Sequence, residues 1–401
     1  MSDVPYFVTL DEAKEISFRT SIPITIESVK LDDAHGRILA HNLESKVNDP
    51  PFDNSAMDGF AMRYEDTTGG GKTLEIVGTI QASSQQHMPV VGPGQAVRIM
   101  TGARMPEGAD SILQIELCDI DGDQVYLKEE SKKHFIRKMG ENLKIGEAAL
   151  ERGSILNPSK TGLCATMGYE KVPVIKKLKV AIISTGDELV QPGQPLGPGE
   201  IYESNSFGLA GLVKWLGHEV LRIQAVDDSL DELRDILNQT SKECDLILTS
   251  GGVSMGEWDL VRKIMEKEGD IHFWRVKIRP GSPPLFGLWN QTPIFGLPGN
   301  PVSSHTVFRM LVAPWIRKTT GASGPKELQI KAKLTTPVKA TVDCLTLRRV
   351  SVEFSKGEII AYQKVHQGSG NLASLTSSDA LTLLPAGSSA EKGEIIDLLL
   401  L

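Results

Sequence analysis

The chain reads as a multidomain α/β-plus-β protein, with a doubly wound, mostly parallel α/β domain set between β-rich flanks. Three observations predict this. Residues 178–183 and 245–249 are short apolar runs of the kind buried on both faces of a sheet, and they alternate with helix-patterned stretches. Residues 45–140 and 328–400 instead break into short strands separated by turn residues. At 401 residues, the chain has room for about two to four domains of about 100–200 residues each.

The elements follow in order. Thr9-Leu10-Asp11-Glu12 fits a capping box that opens a short amphipathic helix with Ala13 and Ile16 on one face. A further helical turn is predicted within 32–40. Between 45 and 140 the text is β-like, with runs such as Leu74-Glu75-Ile76-Val77 and Ala96-Val97-Arg98-Ile99-Met100. Gly69-Gly70-Gly71 and Gly92-Pro93-Gly94 punctuate them. From 178 the pattern changes to strand 178–183, helix 205–217, strand 219–226, helix 229–242 and strand 245–249. Helix 257–268, strands 271–276 and 293–297, and helix 301–318 complete that block. Right-handed crossovers at this pitch give a parallel sheet covered on both faces. Residues 321–325 form a linker, and the remainder is a small all-β module whose last apolar run, 395–401, closes a sheet.

Composition excludes several classes of function. With 43 Lys+Arg against 51 Asp+Glu, the net charge is −8, and there is no long basic run to neutralise a duplex backbone. No nucleic-acid partner is expected, although a local basic pocket for a small anion is compatible with this charge. The 4 cysteines (Cys118, Cys164, Cys244, Cys344) are scattered without a Cys-x-x-Cys pair, which argues against a disulfide framework or a structural zinc site. No apolar run nears the roughly 20 residues that span a bilayer, so no membrane association is expected. Residues 1–10 lack a signal-peptide pattern, and the expected location is the cytoplasm.

Some phosphate motifs fail on inspection. Gly71-Lys72-Thr73 resembles the end of a P-loop, but the first glycine would fall on Asp66; Gly92-x-Gly94 would need glycine where Val97 stands. Gly252-Val253-Ser254-Met255-Gly256 matches the nucleophile elbow of serine hydrolases, with Asp259, His272, His305 and His366 downstream. The competing reading is an anion loop: Ser250-Gly251-Gly252 ends a parallel strand, where glycines let backbone N–H groups face a ligand. Two further loops leave the same strand ends. Ser184-Thr185-Gly186-Asp187-Glu188 carries adjacent carboxylates, suited to a hard cation or simply to a helix start. In Leu297-Pro298-Gly299-Asn300-Pro301-Val302-Ser303, Asn300 is an N-cap with Pro301 at N1, leaving first-turn N–H groups for an anion. Arg275, Lys277 and Arg279 alternate, and alternating residues of a strand share a face, which suits an anionic ligand or simply a solvated edge strand. Asp227 and Asp228 close the strand 219–226 with more carboxylates. Cations, carboxylates and free N–H groups on one sheet edge suit a metal-bridged phosphate compound.

These residues also carry a family resemblance. Pro51-Phe52-Asp53-Asn54-Ser55-Ala56-Met57-Asp58-Gly59-Phe60-Ala61 is a long string that no periodicity explains. With Arg98-Ile99-Met100-Thr101-Gly102-Ala103, Ser184-Thr185-Gly186-Asp187-Glu188-Leu189, Thr249-Ser250-Gly251-Gly252-Val253-Ser254 and Gly296-Leu297-Pro298-Gly299-Asn300-Pro301-Val302, it resembles MoeA, the molybdopterin molybdenumtransferases, and the similar E domain of gephyrin. The strings occur in family order over nearly the whole chain.

The resemblance implies a linker domain (1–45 with 141–177), a β domain (46–140), a MoaB/Mog-like molybdopterin-binding α/β domain (178–320) and a C-terminal β-barrel (328–401). It implies an elongated homodimer in which Asp58 and Thr101 of one subunit face the α/β domain of the other. It also implies the reaction: molybdate and adenylylated molybdopterin give molybdenum cofactor and AMP, assisted by Mg²⁺ or another divalent cation. On that reading Ser250, Gly251, Gly252, Pro298, Asn300, Pro301 and Ser303 hold the phosphates and pterin. Asp187 and Glu188, with Asp227 or Asp228, hold the cation, and Asp259 orients the substrate or an attacking oxygen. Arg279, Lys277 and Ser303 take molybdate, a tetrahedral dianion suited to guanidinium and hydroxyl donors.

The chain departs from the family where Arg275 and Arg279 stand for lysines, Ser282 for a further cation and Asn142 for an aspartate. The alternatives are a molybdopterin adenylyltransferase, which shares the α/β domain, a serine hydrolase using Ser254, and a gephyrin-like scaffold. The adenylyltransferase is also a candidate protein partner.

Overall fold

The computed structural model describes residues 4–83, 88–226, 229–254 and 259–401. Among them, the apolar runs of the middle of the chain do become buried strands. Leu246–Ser250 and Thr292–Leu297 are buried throughout, and Lys179–Thr185 is buried after its first residue. The sheet has seven strands among the described residues, in the order Tyr6–Val8, Asp270–Val276, Leu285–Trp289, Thr292–Leu297, Leu246–Ser250, Lys179–Thr185, Glu219–Val226. The last four are mutually parallel. Helices Asn205–Trp215, Leu230–Glu243 and Leu260–Glu268 follow their strands at the pitch predicted. Residues 257 and 258 of the expected helix 257–268 lie outside the described residues. The stretch 301–318 is helical, with a π-helical segment, Phe308–Val312, between Pro301–Val307 and Ala313–Thr320.

Two strands of this sheet were not anticipated. Leu285–Trp289 runs antiparallel to both neighbours and forms a hairpin with Thr292–Leu297. The turn residues Asn290 and Gln291 both have positive φ, at 47° and 69°, as a type I′ turn requires, but without the glycine that usually signals one. Tyr6–Val8 comes from the other end of the chain and pairs in parallel with Asp270–Val276. The helix Leu10–Phe18 that follows has the expected capping box: the Thr9 N–H donates to Glu12 at 2.7 Å and the Glu12 N–H to Thr9 Oγ1 at 3.2 Å. It packs on the last helix of the block, where Trp315 Nε1 donates to Ser17 O at 3.1 Å. Trp315, Phe295, Phe286 and Phe273 are all completely buried, and together they fill one face of the sheet.

Ile26–Lys30 pairs with Lys171–Ile175, and Leu43–Glu44 with Ala148–Leu150. Six strands, among the described residues, form the sheet in between: Ser111–Gln114, Gly59–Met62, Gln95–Ile99, Lys72–Ile80, Gln124–Leu127, Cys118–Asp121. The antiparallel pair Gly59↔Ile99 sets Asp58 beside Thr101 at one end of this sheet.

The C-terminal module is a closed barrel of Gln329–Leu334, Glu358–Tyr362, Arg349–Ser355, Ala380–Thr382 and Ile395–Leu400. Its final strand bonds to both Gln329–Leu334 and Ala380–Thr382 and so closes it. Ile278–Arg279 pairs in parallel with Leu345–Thr346, stitching the barrel to the α/β domain. Among the described residues no helix is long and apolar enough to cross a membrane.

The connection between barrel and α/β domain is locked by charge. Glu327, with its side chain 5% exposed, takes Arg317 Nη2 at 3.1 Å and lies 3.9 Å from Arg309 Nη1. Arg317 also donates to the Pro325 carbonyl at 2.8 Å. Removing one partner of a buried pair costs about 3–5 kcal/mol, because the other charges stay buried. Glu327→Ala is therefore expected to lower the melting temperature and to speed proteolytic cutting within 321–328; unchanged melting and cutting would mean that the linker is held by other contacts.

Candidate functional site

Three parallel strands end side by side. Ser184 is in register with Ser250, and Ser250 with Leu297, so the loops after them rise from one sheet edge. Ligands of open α/β sheets bind at such carboxyl ends. A cleft of about 630 Å³ lies there, lined by Glu188, Ser250, Gly251, Gly252, Asp259, Pro298, Asn300 and Pro301 among the predicted residues. Gly251 and Gly252 have φ of 102° and 66°. A Cβ on Gly251 would stand 2.8 Å from Thr185 O, and one on Gly252 3.1 Å from Val261 Cγ2. Only glycine lets the loop lie this close to its neighbour.

Some N–H groups expected to face a ligand are already engaged. The Gly251 N–H donates to Leu297 O at 3.0 Å, and the Val302 N–H to Ser369 O at 3.1 Å. The causes differ: Gly251 continues the sheet ladder onto the end of the neighbouring parallel strand, while the loop at Ser369 covers the helix start at Val302. The Ser304 hydroxyl, donating to Pro298 O, ties the rigid loop to its own helix.

The cleft floor holds two residues that sequence reasoning missed. Glu203 is 2% exposed and accepts from Ser184 Oγ at 3.0 Å, Ser206 N at 2.8 Å and Ser206 Oγ at 2.6 Å. Asn205 Nδ2 donates to Ser250 Oγ at 2.8 Å and Gly299 O at 2.6 Å, linking two of the three loops. Its Oδ1 is buried with no protein donor among the described residues, leaving an acceptor at the cleft. Tyr202-Glu203-Ser204-Asn205 leads from the end of a short strand into the helix Asn205–Trp215, and only the fold brings it to the cleft.

A second cleft of about 370 Å³ shares Ser254, Pro283, Pro298 and Asn300 with the first. Its wall carries Arg275, Arg279 and Arg348 with Ser303, Gln367 and Ser369. The expectation that Arg275, Lys277 and Arg279 share one face is corrected here. Arg275 has φ 66°, which breaks the two-residue alternation, and the strand stops at Val276. The Lys277 ammonium instead lies 5.7 Å from the Phe7 ring. Arg348 comes from the barrel, about 70 residues downstream of Arg279. Beside it, the buried Arg349 donates through Nη2 to His366 O and Gly368 O, each at 3.1 Å, and so shapes the loop carrying Gln367 and Ser369.

The remaining predicted residues divide. Asp58 and Thr101 sit together on the six-stranded sheet, apart from the residues lining both clefts: Asp58 Oδ1 accepts from Thr101 N and Oγ1, both at 2.7 Å. Those donors hold the Asp58 carboxyl below the usual carboxylate range, so it stays ionised. Asp187 lies in the loop between Gly186 and Glu188. The Glu188 carboxylate folds over that loop, and a Cβ at Gly186 would stand 2.6 Å from Glu188 Oε2. Asp227 and Asp228 lie outside the described residues, as does Gly256 of the elbow string. No group of three or more His, Cys, Asp or Glu side chains forms a metal site among the described residues. Asn142 donates through Nδ2 to Asp49 Oδ2 at 3.1 Å, where an aspartate would set two carboxylates together.

Ser254 stands where the clefts meet, but the histidines are occupied elsewhere. His272 reaches Thr20 and Asp270, and His366 Nδ1 accepts from Gly368 N. His305 is packed beside Gly208, and burial pushes its pKa down to about 4. A serine-hydrolase triad is not favoured.

Three family models match successive stretches of the chain. Residues 8–168 match the MoeA N-terminal region (domain I and II), 181–318 a probable molybdopterin binding domain, and 331–401 the MoeA C-terminal region (domain IV). The chain is 36% identical over 384 residues to the molybdopterin molybdenumtransferase of Haemophilus influenzae, covering 94% of each. It is 33% identical over 386 residues to that of Bacillus subtilis, covering 94% of this chain and 90% of the relative. A crystal structure of the molybdopterin biosynthesis MoeA protein of Pyrococcus horikoshii superposes with a TM-score of 0.84 at 29% identity, covering 98% of this chain and 100% of that one. Matched from its N-terminal region to its last strand, this chain belongs to the MoeA family of molybdopterin molybdenumtransferases.

Proposed function

We propose that this chain acts in molybdenum cofactor biosynthesis, inserting molybdate into adenylylated molybdopterin with release of AMP. The observation that carries the reading is the pair of adjoining clefts. One is built from glycine loops and helix starts at strand ends, as a nucleotide–pterin diphosphate requires. The other concentrates three arginines and several hydroxyls in a chain of net charge −8, as a tetrahedral oxyanion requires. A molybdopterin adenylyltransferase is not favoured, because the MoeA N- and C-terminal regions flank the shared domain.

Ser250, Gly252, Asn300 and the Asn205 amide carbonyl are assigned to the pterin and phosphates, with Gly251, Pro298 and Pro301 shaping the loops. Asp259, at the rim, orients the substrate. Arg279, Arg275, Arg348 and Ser303 take molybdate, and Lys277, turned toward Phe7, supports that charge from outside. Glu203 fixes Ser184 and the start of the helix below the cleft. Glu188, with Asp187 beside it, fits a divalent cation such as Mg²⁺, which commonly takes one or two carboxylates and completes its shell with water and substrate phosphates. Asp227 and Asp228 remain the other proposed ligands. Bound there, the cation would polarise the phosphoanhydride. Water attacks a phosphorus of that anhydride as AMP leaves with the bridging oxygen, and the two dithiolene thiols displace one molybdate oxygen, which departs as water with their two protons.

The site is proposed to be shared in a homodimer, with Asp58 and Thr101 of one subunit completing the cleft of the other. Asp58 supports this, as an ionised, outward-facing carboxylate on a sheet that lines neither cleft of its own chain. The adenylyltransferase of the preceding step, which supplies the adenylylated substrate, is a candidate partner. The four cysteines are free and buried, which supports a reducing, cytoplasmic setting.

Incubation with adenylylated molybdopterin, Mg²⁺ and molybdate is expected to release AMP in a molybdate-dependent manner. Glu188→Ala should nearly abolish that release without changing the circular-dichroism spectrum. Release that ignores molybdate would overturn the reaction, and normal turnover of the variant across a Mg²⁺ titration would remove Glu188 from the cation site.

Subunit sharing predicts complementation. Asp58→Ala and Glu188→Ala homodimers should each be inactive. In a mixed dimer one composite site carries both lesions and the other none, so random reassociation should restore about one quarter of all sites. Mixed dimers confirmed by mass yet inactive would place each site within one subunit.

A further inference from the structure

Arg275 owes its place in the anion cleft to the opposite end of the chain. Tyr6 pairs with Trp274 and Val8 with Val276, which sets Phe7 across from Arg275. Both are held at positive φ, 52° for Phe7 and 66° for Arg275, a region that side chains bearing a Cβ rarely adopt. Two such residues facing each other turn both side chains out of the ordinary alternation, as irregular strand pairings beside active sites do. The result is an aromatic cradle. Arg275 Nη1 donates to Tyr6 Oη at 2.8 Å, and the guanidinium carbon lies 5.6 Å from the Tyr6 ring centroid and 5.3 Å from that of Phe7. Tyr6 in turn packs edge-on against Trp274, with centroids 5.3 Å apart. Trp274 Nε1 donates to Val253 O at 3.1 Å, in the loop lining the first cleft. The cradle is thus tied to the loop that borders both clefts.

We propose that Tyr6 and Phe7 are positioning residues for the oxyanion, holding the Arg275 guanidinium over the second cleft. Affinity for molybdate then depends on two side chains that need not touch it. Ring faces and a phenol oxygen are neutral acceptors, so these contacts orient the cation without themselves adding a negative charge beside it. The proposal rests on the reading of the second cleft as the oxyanion site.

Molybdate binding is measured by calorimetry on the full chain, together with the molybdate concentration for half-maximal AMP release. Tyr6→Phe keeps the ring and removes the acceptor. It is expected to weaken molybdate by roughly three- to tenfold, the scale of one lost hydrogen bond, with kcat at saturating molybdate and binding of the adenylylated pterin unchanged. Phe7→Leu should act in the same direction and Phe7→Trp, which keeps a ring face, should not. In an Arg275→Ala background Tyr6→Phe should have no further effect, an outcome a general structural role would not give. If the unaltered chain binds molybdate and Tyr6→Phe binds it equally well, or if the Tyr6 effect persists without Arg275, this inference is wrong while the function stands. No molybdate binding by the unaltered chain would sink both.

Discussion

Everything at the site depends on three parallel strands ending in register. Ser184, Ser250 and Leu297 are neighbours across the sheet, so the three chains must turn away from one another within a few ångströms. That crowding explains the loop chemistry. Gly251 is pressed against Thr185, Pro298 and Pro301 stiffen the third loop, and Asn205 bonds to both the second and the third. Some backbone donors are used in holding the loops together, as at Gly251 and Val302. The cleft is therefore a rigid, partly pre-satisfied surface, and fewer N–H groups remain for a ligand than a count of loop residues suggests.

The oxyanion cleft needs a second constraint, the docking of the barrel. Arg275 and Arg279 belong to the α/β domain, while Arg348, Gln367 and Ser369 belong to the barrel. The bridging strands Ile278–Arg279 and Leu345–Thr346 pair in parallel, placing Arg279 beside the segment that leads to Arg348. The Leu347 N–H donating to Arg279 O at 2.7 Å fixes the arginine's backbone. Three guanidinium groups around one small cleft repel one another, so such a wall persists only when the framework behind it is stiff. Glu327 with Arg309 and Arg317, and Arg349 with the 366–368 carbonyls, supply that stiffness on the barrel side.

Much of the fold was legible. The continuous apolar runs became strands buried on both faces, and the Thr9–Glu12 box became a capped helix, because local pattern and burial agree there. The hairpin strand Leu285–Trp289 was not, since its turn reaches positive φ at Asn290 and Gln291 without a glycine. Nor was Tyr6–Val8, too short for any periodicity and paired with a strand more than 260 residues away. The loops of the first cleft could be read because glycine, proline and carboxylates announce themselves locally. Glu203, Asn205 and Arg348 could not, because tertiary contact alone makes them part of the site. Lys277 failed for a different reason: the alternation rule assumes a regular strand, and Arg275 interrupts it.

The central claim is that two adjoining clefts divide the substrates, pterin and phosphates on the strand-end loops and oxyanion among the arginines. A crystal structure of the chain soaked with adenylylated molybdopterin and tungstate, whose electrons mark the oxyanion, tests it most directly. The account predicts diphosphate density along Ser250–Gly252 and Asn300, and a tungsten peak within hydrogen-bonding reach of Arg279, Arg348 and Ser303. A tungsten peak at the Glu188 loop, or pterin density over the arginines, would contradict it.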